Sequence, residues 1–256
     1  MDSDVRGVTS VDDELFVLLN QKDNQVAVYS IDDYRLLRHL NVPEYKPGYN
    51  SDMTSCVRHK CLYMSDWNQS CIHRYDLANS LIGHWLVPGK LRGLSVTPSC
   101  NLLVTCYEPN KLIELSGDNG ESVREIALQS GITCPWHSVQ LTTGQYVVCH
   151  GVGYKELQRV CIVDDDGQVT RSCGGPKGSN VGQLDAPRHL AVDKDSQSIF
   201  VANYDNGRVV LLSPTLEFVR YVSSYQSRPE RLHFHQATRR LFVGHGYRSS
   251  VTVIQW

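Results

Sequence analysis

No stretch of this 256-residue chain approaches the roughly 18 to 20 consecutive apolar residues that span a bilayer, and the N-terminus, MDSDVRGVTS, has neither a basic segment nor an apolar core. A membrane span and a secretory leader are therefore not expected, and the cytoplasm is the expected compartment. Blocks of like charge are also missing: 25 Lys and Arg against 27 Asp and Glu leave a formal net charge of −2, spread along the sequence. Strong whole-molecule attraction to nucleic acid or membrane is not expected, so any such affinity has to come from a local patch. The nine cysteines (Cys56, Cys61, Cys71, Cys100, Cys106, Cys134, Cys149, Cys161 and Cys173) form an odd set without a CxxC. Most lie in apolar strand-like runs, which fits free buried thiols in a reducing compartment better than a disulfide framework. No GxSxG, HExxH or GxxxxGK[ST] occurs, and no apolar 3.6-residue period persists over three turns, so common catalytic motifs and long amphipathic helices are not expected.

What the chain does contain is a repeat. Six apolar segments begin at Leu15, Leu62, Leu102, Tyr146, Ile199 and Leu241, at successive spacings of 47, 40, 44, 53 and 42 residues. Such spacing is the period of four-stranded propeller blades. β-branched and aromatic residues dominate them, and turn signals such as Asp32-Asp33, Asp166-Gly167 and Asp205-Asn206-Gly207 fall where hairpins must reverse. The expected fold is all-β, a six-bladed β-propeller of four-stranded blades. One domain spans 1–256, with blades near 5–43, 53–88, 90–128, 135–174, 186–224 and 228–256.

The stretch GGPKGSNVGQLDAPRHLAVDKDSQSIFVANYDNGRVVLLSP, from Gly174, has a glycine-rich approach loop, a proline, a first strand ending in AVD and a second strand running into an Asn-containing turn. LYMSDWNQSCIHRYD, from Leu62, repeats the latter half. These segments resemble the NHL repeat family, and the resemblance extends to the C-terminal domains of TRIM-NHL-type proteins. It implies a partner-binding propeller face that takes RNA or protein, and a ubiquitin-ligase context if a RING, B-box and coiled coil lie upstream.

The sixth repeat ends after three strands, and only Met1 to Asp4 precede the first strand. Either the final blade has three strands, or the N-terminal residues or an omitted segment cover it; an uncovered edge invites pairing with another chain. The chain is expected to be a monomeric C-terminal domain of a longer protein.

Loops leading into the innermost strands share a face with the turns between second and third strands, so side chains from several blades converge there. Aligning the first strands places Arg6, Arg92 and Arg188 at one position, with Thr54, Trp136 and Glu230 in the other blades and Arg231 one residue further on. Turns on the same face carry Trp67, Tyr107, Tyr154, Tyr204 and Tyr247. Arginines among aromatic rings suit phosphates, stacked bases or acidic peptides. The competing reading is that the arginines brace neighbouring blades through carboxylates such as Glu230, Asp66 and Asp205. The expected function is non-enzymatic recognition of a protein or RNA partner through Arg6, Trp67, Arg92, Tyr107, Trp136, Arg188, Tyr204, Arg231 and Tyr247, without a cofactor.

The alternative is a metal-dependent lyase or hydrolase with an axial site of His137, His189 and His233, because amidating lyases of similar architecture hold a metal with histidines from several blades. Zinc needs three or four converging ligands at about 2.0 to 2.3 Å, and only His137 and His189 align in sequence. The DDDG at Asp164 lacks the spaced ligands of a calcium loop and reads as a hairpin turn, and GGPKGSNVG reads as a connection between blades.

Overall fold

The computed structural model describes residues 4–19, 25–151, 157–224 and 227–256. Every regular element among them is a strand. Blade one comprises β1 (Val5–Val11), β2 (Glu14–Leu19), β3 (Gln25–Ser30) and β4 (Leu36–Asn41); blade two comprises β5 (Met53–Cys56), β6 (Cys61–Asp66), β7 (Cys71–Asp76) and β8 (Ile82–Leu86). Blade three is β9 (Lys90–Val96), β10 (Leu102–Glu108), β11 (Lys111–Leu115) and β12 (Ser122–Ala127), and blade four is β13 (His137–Gln140), β14 (Tyr146–His150), β15 (Gln158–Val163) and β16 (Val169–Gly175). Blade five is β17 (Pro187–Val192), β18 (Ile199–Asn203), β19 (Arg208–Leu212) and β20 (Phe218–Ser224); blade six has only β21 (Arg228–His235), β22 (Arg240–Gly246) and β23 (Val251–Gln255). Each sheet is an antiparallel meander in chain order. The innermost strands pack in sequence around a ring, β1 beside β5, β5 beside β9, and on to β21, which returns to β1. The protein is a six-bladed β-propeller whose last blade has three strands.

Packing explains the sequence pattern. Second strands such as β6 and β14 are buried along their whole length because blades cover both of their faces, so they read as continuous apolar runs. Fourth strands such as β4 and β12 are mostly exposed and mix polar with apolar residues. Six apolar clusters form wedges between neighbouring blades: Trp136, Val147 and Leu190 belong to one, and Phe242 closes the ring against Val5, Val8 and Val17. All nine cysteines are unbridged, and six of them are buried. Because these wedges hold the apolar core, the axis itself is left to polar side chains.

Tight approach of the inner strands depends on small residues at fixed places. A Cβ on Gly93 would stand 2.7 Å from His137 Cα and from the Trp136 carbonyl oxygen, which are backbone atoms that cannot yield. Gly93→Ala is expected to lose about 1–3 kcal/mol of stability by overpacking. Gly131→Ala, at a site with open space around it, serves as control, and urea denaturation compares the two.

Candidate recognition face and axial charge plug

A local irregularity in the inner strands aims the key side chains. The β1–β2 register skips between Val5 and Gly7, the β17–β18 register between Pro187 and His189, and the β21–β22 register between Pro229 and Arg231. The same irregularity in blade three falls at Arg92 and Gly93, opposite Thr105. Bulges re-aim side chains, and here Arg6, Arg92, Arg188 and Glu230 occupy the extra position of four blades. Gly7, His189 and Arg231 follow it. Glu230 is thus the structural counterpart of the three arginines, and Arg231 the counterpart of His189.

Glu230 and Asp52 are fully enclosed acids that gather these groups. Glu230 Oε1 lies 2.7 Å from Arg6 Nη1, 3.1 Å from Arg188 Nη1 and 3.8 Å from Arg231 Nη1. Arg6 also pairs with Asp4 and donates to the Tyr49 carbonyl at 3.0 Å. Arg231 donates to the Arg6 and Ser51 carbonyls, at 3.0 and 2.7 Å, and its Nε stands 3.2 Å from Asp52 Oδ1. Asp52 further accepts the Leu94 amide at 2.8 Å, and its Oδ2 faces His189 Nε2 at 3.5 Å and His137 Nε2 at 3.8 Å. One carboxylate therefore links five blades.

Burial alone would raise the Asp52 carboxyl, but His189, Arg231 and His137 outweigh it and hold the group well below the usual carboxylate range. The histidines respond in the opposite sense. Burial pushes His137 well below the ordinary imidazole value, with His189 adding to the effect, and it lowers His189 despite the opposing pull of Asp52. His233, buried beside His235, falls to about 3.

The three-histidine metal set of the alternative reading does not assemble. His137 and His189 do converge, with ring centroids 3.7 Å apart, but His233 lies deeper along the axis and bonds Ser10 Oγ at 2.7 Å, and Asp52 takes its place. Metal-bound histidines donate their second N–H to an acceptor. In His189 the second nitrogen, Nδ1, instead accepts the Leu232 amide at 3.3 Å, so its proton sits on Nε2 and points at Asp52. His137 Nε2 is 3.1 Å from the Leu94 carbonyl and is likewise turned to an acceptor. His189 is committed to Asp52 and the Leu232 amide, and His137 Nε2 to the Leu94 carbonyl, an arrangement that does not fit a metal. Beyond them an axial cavity of about 900 Å³, lined by Ser55, Ser95, Gln140 and His233 among others, opens away from the charge plug.

On the other side of the plug, cations and rings alternate across blades two to six. Trp67 stacks on Tyr107 at 5.7 Å. Arg92 lies over Tyr107 and Trp136, at 4.2 and 4.1 Å. Arg188 lies over Tyr204 at 3.4 Å and Trp136 at 4.9 Å, and Arg228 stands between Tyr204 and Tyr247, at 5.2 and 5.6 Å. The face anticipated from sequence is thereby brought together, but its members differ in availability. Arg6, Arg188, Arg231 and Tyr204 are buried and engaged internally, so bracing accounts for these arginines. Trp67, Arg92 and Tyr107 are partly exposed, Tyr247 is exposed, and Trp136 lies beneath them. Tyr154 lies outside the described residues. Tyr49, exposed and edge-on to Trp136 at 6.4 Å, belongs to the face and carries no mark in the repeat pattern.

Arg92 differs from the other arginines. Among the described residues it has no carboxylate in ion-pair range, and its Nε and Nη1 are enclosed without a hydrogen-bond partner. Burial pushes its guanidinium down to about 10. A desolvated cation without a counter-charge is costly, and it can be relieved by an anionic group arriving from outside.

Asp52→Asn is expected to destabilise the fold by about 3–5 kcal/mol, since it removes the nearest counter-charge of buried Arg231 and leaves only Glu230 at 3.8 Å. The titrations add a pH signature. Histidines held neutral give stability that is complete above about pH 6.5 and is lost below it, as the unfolded chain takes up protons that the fold refuses. The depressed Asp52 adds a further loss below about pH 4. Denaturation midpoints measured from pH 8 to pH 4 are expected to fall steadily once below about 6.5.

No family profile matches the sequence. No curated protein matches it either. Solved structures do match in shape. Virginiamycin B lyase from Staphylococcus aureus superimposes with a TM-score of 0.67 at 12% identity, covering 100% of this chain and 85% of that one. Hydrazine synthase from Kuenenia stuttgartiensis gives 0.71 at 14% identity, covering 98% and 95%. A Bacteroides thetaiotaomicron protein of unknown function gives 0.74 at 11% identity, covering 98% of this chain and 69% of its own. At such identities the likeness establishes the propeller fold alone.

Proposed function

We propose that this chain is a non-enzymatic recognition domain of NHL-like type, acting in the cytoplasm, that binds a protein or RNA partner on the face carrying Trp67, Arg92, Tyr107, Trp136 and Tyr247. The observation that carries the reading is Arg92, a largely desolvated guanidinium held between rings with no acid of its own. Stacked aromatic rings offer a platform to a base or a planar side chain, while the guanidinium offers a fork to a carboxylate or phosphate. A catalytic reading would draw on the axial histidines, and these are committed to Asp52 and to backbone groups.

The arginines divide by role, so their substitutions diverge. Arg92→Ala is expected to leave the melting temperature unchanged or raised, and to weaken binding by roughly ten- to a hundredfold, the worth of one charge-assisted contact. Arg6→Ala is expected to lower stability because it removes the closest cation from buried Glu230, leaving Arg188 at 3.1 Å and Arg231 at 3.8 Å, and breaks the link from blade six to blade one. Fluorescence anisotropy with labelled acidic-peptide and single-stranded RNA pools, run beside thermal melts, separates these outcomes. Affinity retained in Arg92→Ala would remove this face from the account.

A further inference from the structure

Blade two carries a second cluster of chemistry-bearing side chains, away from the axis. Cys71 and His73 alternate on β7 and so point to one face of the sheet. His84 on β8 is the register partner of His73, and Asp66 on β6 is the register partner of Cys71. Partners across a ladder share a face, so the meander itself puts one thiol, two imidazoles and one carboxylate on the same side. Cys71 Sγ is 3.4 Å from His73 Nε2, and the donor atoms of Cys71, His73 and His84 all lie within 4.8 Å of one another.

We infer that Cys71, His73 and His84 form a binding site for a divalent transition-metal ion of zinc type. Around a tetrahedral zinc, with Zn–S of about 2.3 Å and Zn–N of about 2.0 Å, sulfur and nitrogen stand about 3.5 Å apart, so the existing separation already matches one edge of the coordination shell. Asp66 Oδ2 lies 3.6 Å from the same His73 nitrogen, which places a carboxylate at hand for the fourth position. A thiolate with two imidazoles selects zinc-like ions over magnesium or calcium. The tautomer does not obstruct binding, in contrast to His189. No donor is committed to His73 Nδ1, so the ring proton can shift there from Nε2, which faces Cys71 Sγ and Asp66 Oδ2, when an ion takes its place. Cys71 and His73 are buried on paired strands, which fixes two donors in advance, and exposed His84 leaves the site accessible from solvent.

Untagged, chelator-stripped protein titrated with Co(II) tests the site, since thiolate ligation gives a near-ultraviolet charge-transfer band and tetrahedral geometry gives intense visible bands. One equivalent is expected to bind with both signatures, and Zn(II) is expected to displace it. Cys71→Ser is expected to abolish the charge-transfer band, whereas Cys173→Ser leaves it intact. His84 is exposed, so His84→Ala is expected to keep the metal-free melting temperature while weakening Co(II) binding by at least about tenfold. The inference is overturned if no stoichiometric Co(II) binds, if the bound ion lacks the thiolate band, or if affinity survives both Cys71→Ser and His84→Ala.

Discussion

Asp52 and Glu230 lie buried on the axis of the ring, where each carboxylate meets groups from several blades. Asp52 reaches the Leu94 amide of blade three, His137 of blade four, His189 of blade five and Arg231 of blade six from its own place at the start of blade two. Glu230 ties blade six to Arg6 of blade one and Arg188 of blade five. The apolar wedges join only neighbours, so they give no contact that spans the ring. The buried charges do, and charges with no access to water hold their partners to a single geometry because an unpaired one is so costly. Among the described residues blade six has three strands, with β23 at its outer edge, so the axial contacts bear on closure. Blade one meets blade six through Arg6 with Glu230, through Arg231 with the Arg6 carbonyl, and through Phe242 in the smallest wedge.

The plug also accounts for the division of labour among the arginines. Three are matched by acids that the fold supplies, and the desolvation of each is offset within the molecule. Arg92 sits at the same bulge in blade three, but the groups nearest it are the Tyr107 and Trp136 rings. A site of this kind is stable enough to persist because cation–ring attraction offsets part of the lost hydration, and it still has hydrogen-bonding capacity to give. Asp52, His189 and His137 Nε2, the groups most suggestive of catalysis, are by contrast engaged by one another or by backbone groups.

The blades were legible in the sequence because stacked sheets bury their second strands on both faces, and this leaves apolar runs such as LLVTC and IFVAN at a steady period. The arginine series was legible too, since Arg6, Arg92 and Arg188 share one strand position. Its partners were harder to see. Asp52 and Tyr49 come from the long connection between β4 and β5, which lies outside the repeat, and nothing periodic marks them. Blade six bulges at Glu230 as blade five does at Arg188, so Arg231 fills the position of His189 and His233 lies two residues further on, at Ser10, which is why the three-histidine set does not form. His84 joins Cys71 and His73 only through cross-strand register, which a sequence does not display.

The claim on which the rest depends is that ionic contact on the axis closes the ring between its first and last blades. A double-mutant cycle on Arg6 and Glu230, residues 224 positions apart in sequence, tests it directly. Arg6→Met, Glu230→Gln and the double variant are compared by urea denaturation at neutral pH. The account predicts a coupling of at least about 1 kcal/mol, with the double variant more stable than the two single losses added together. Losses that add to within about 0.3 kcal/mol would contradict it.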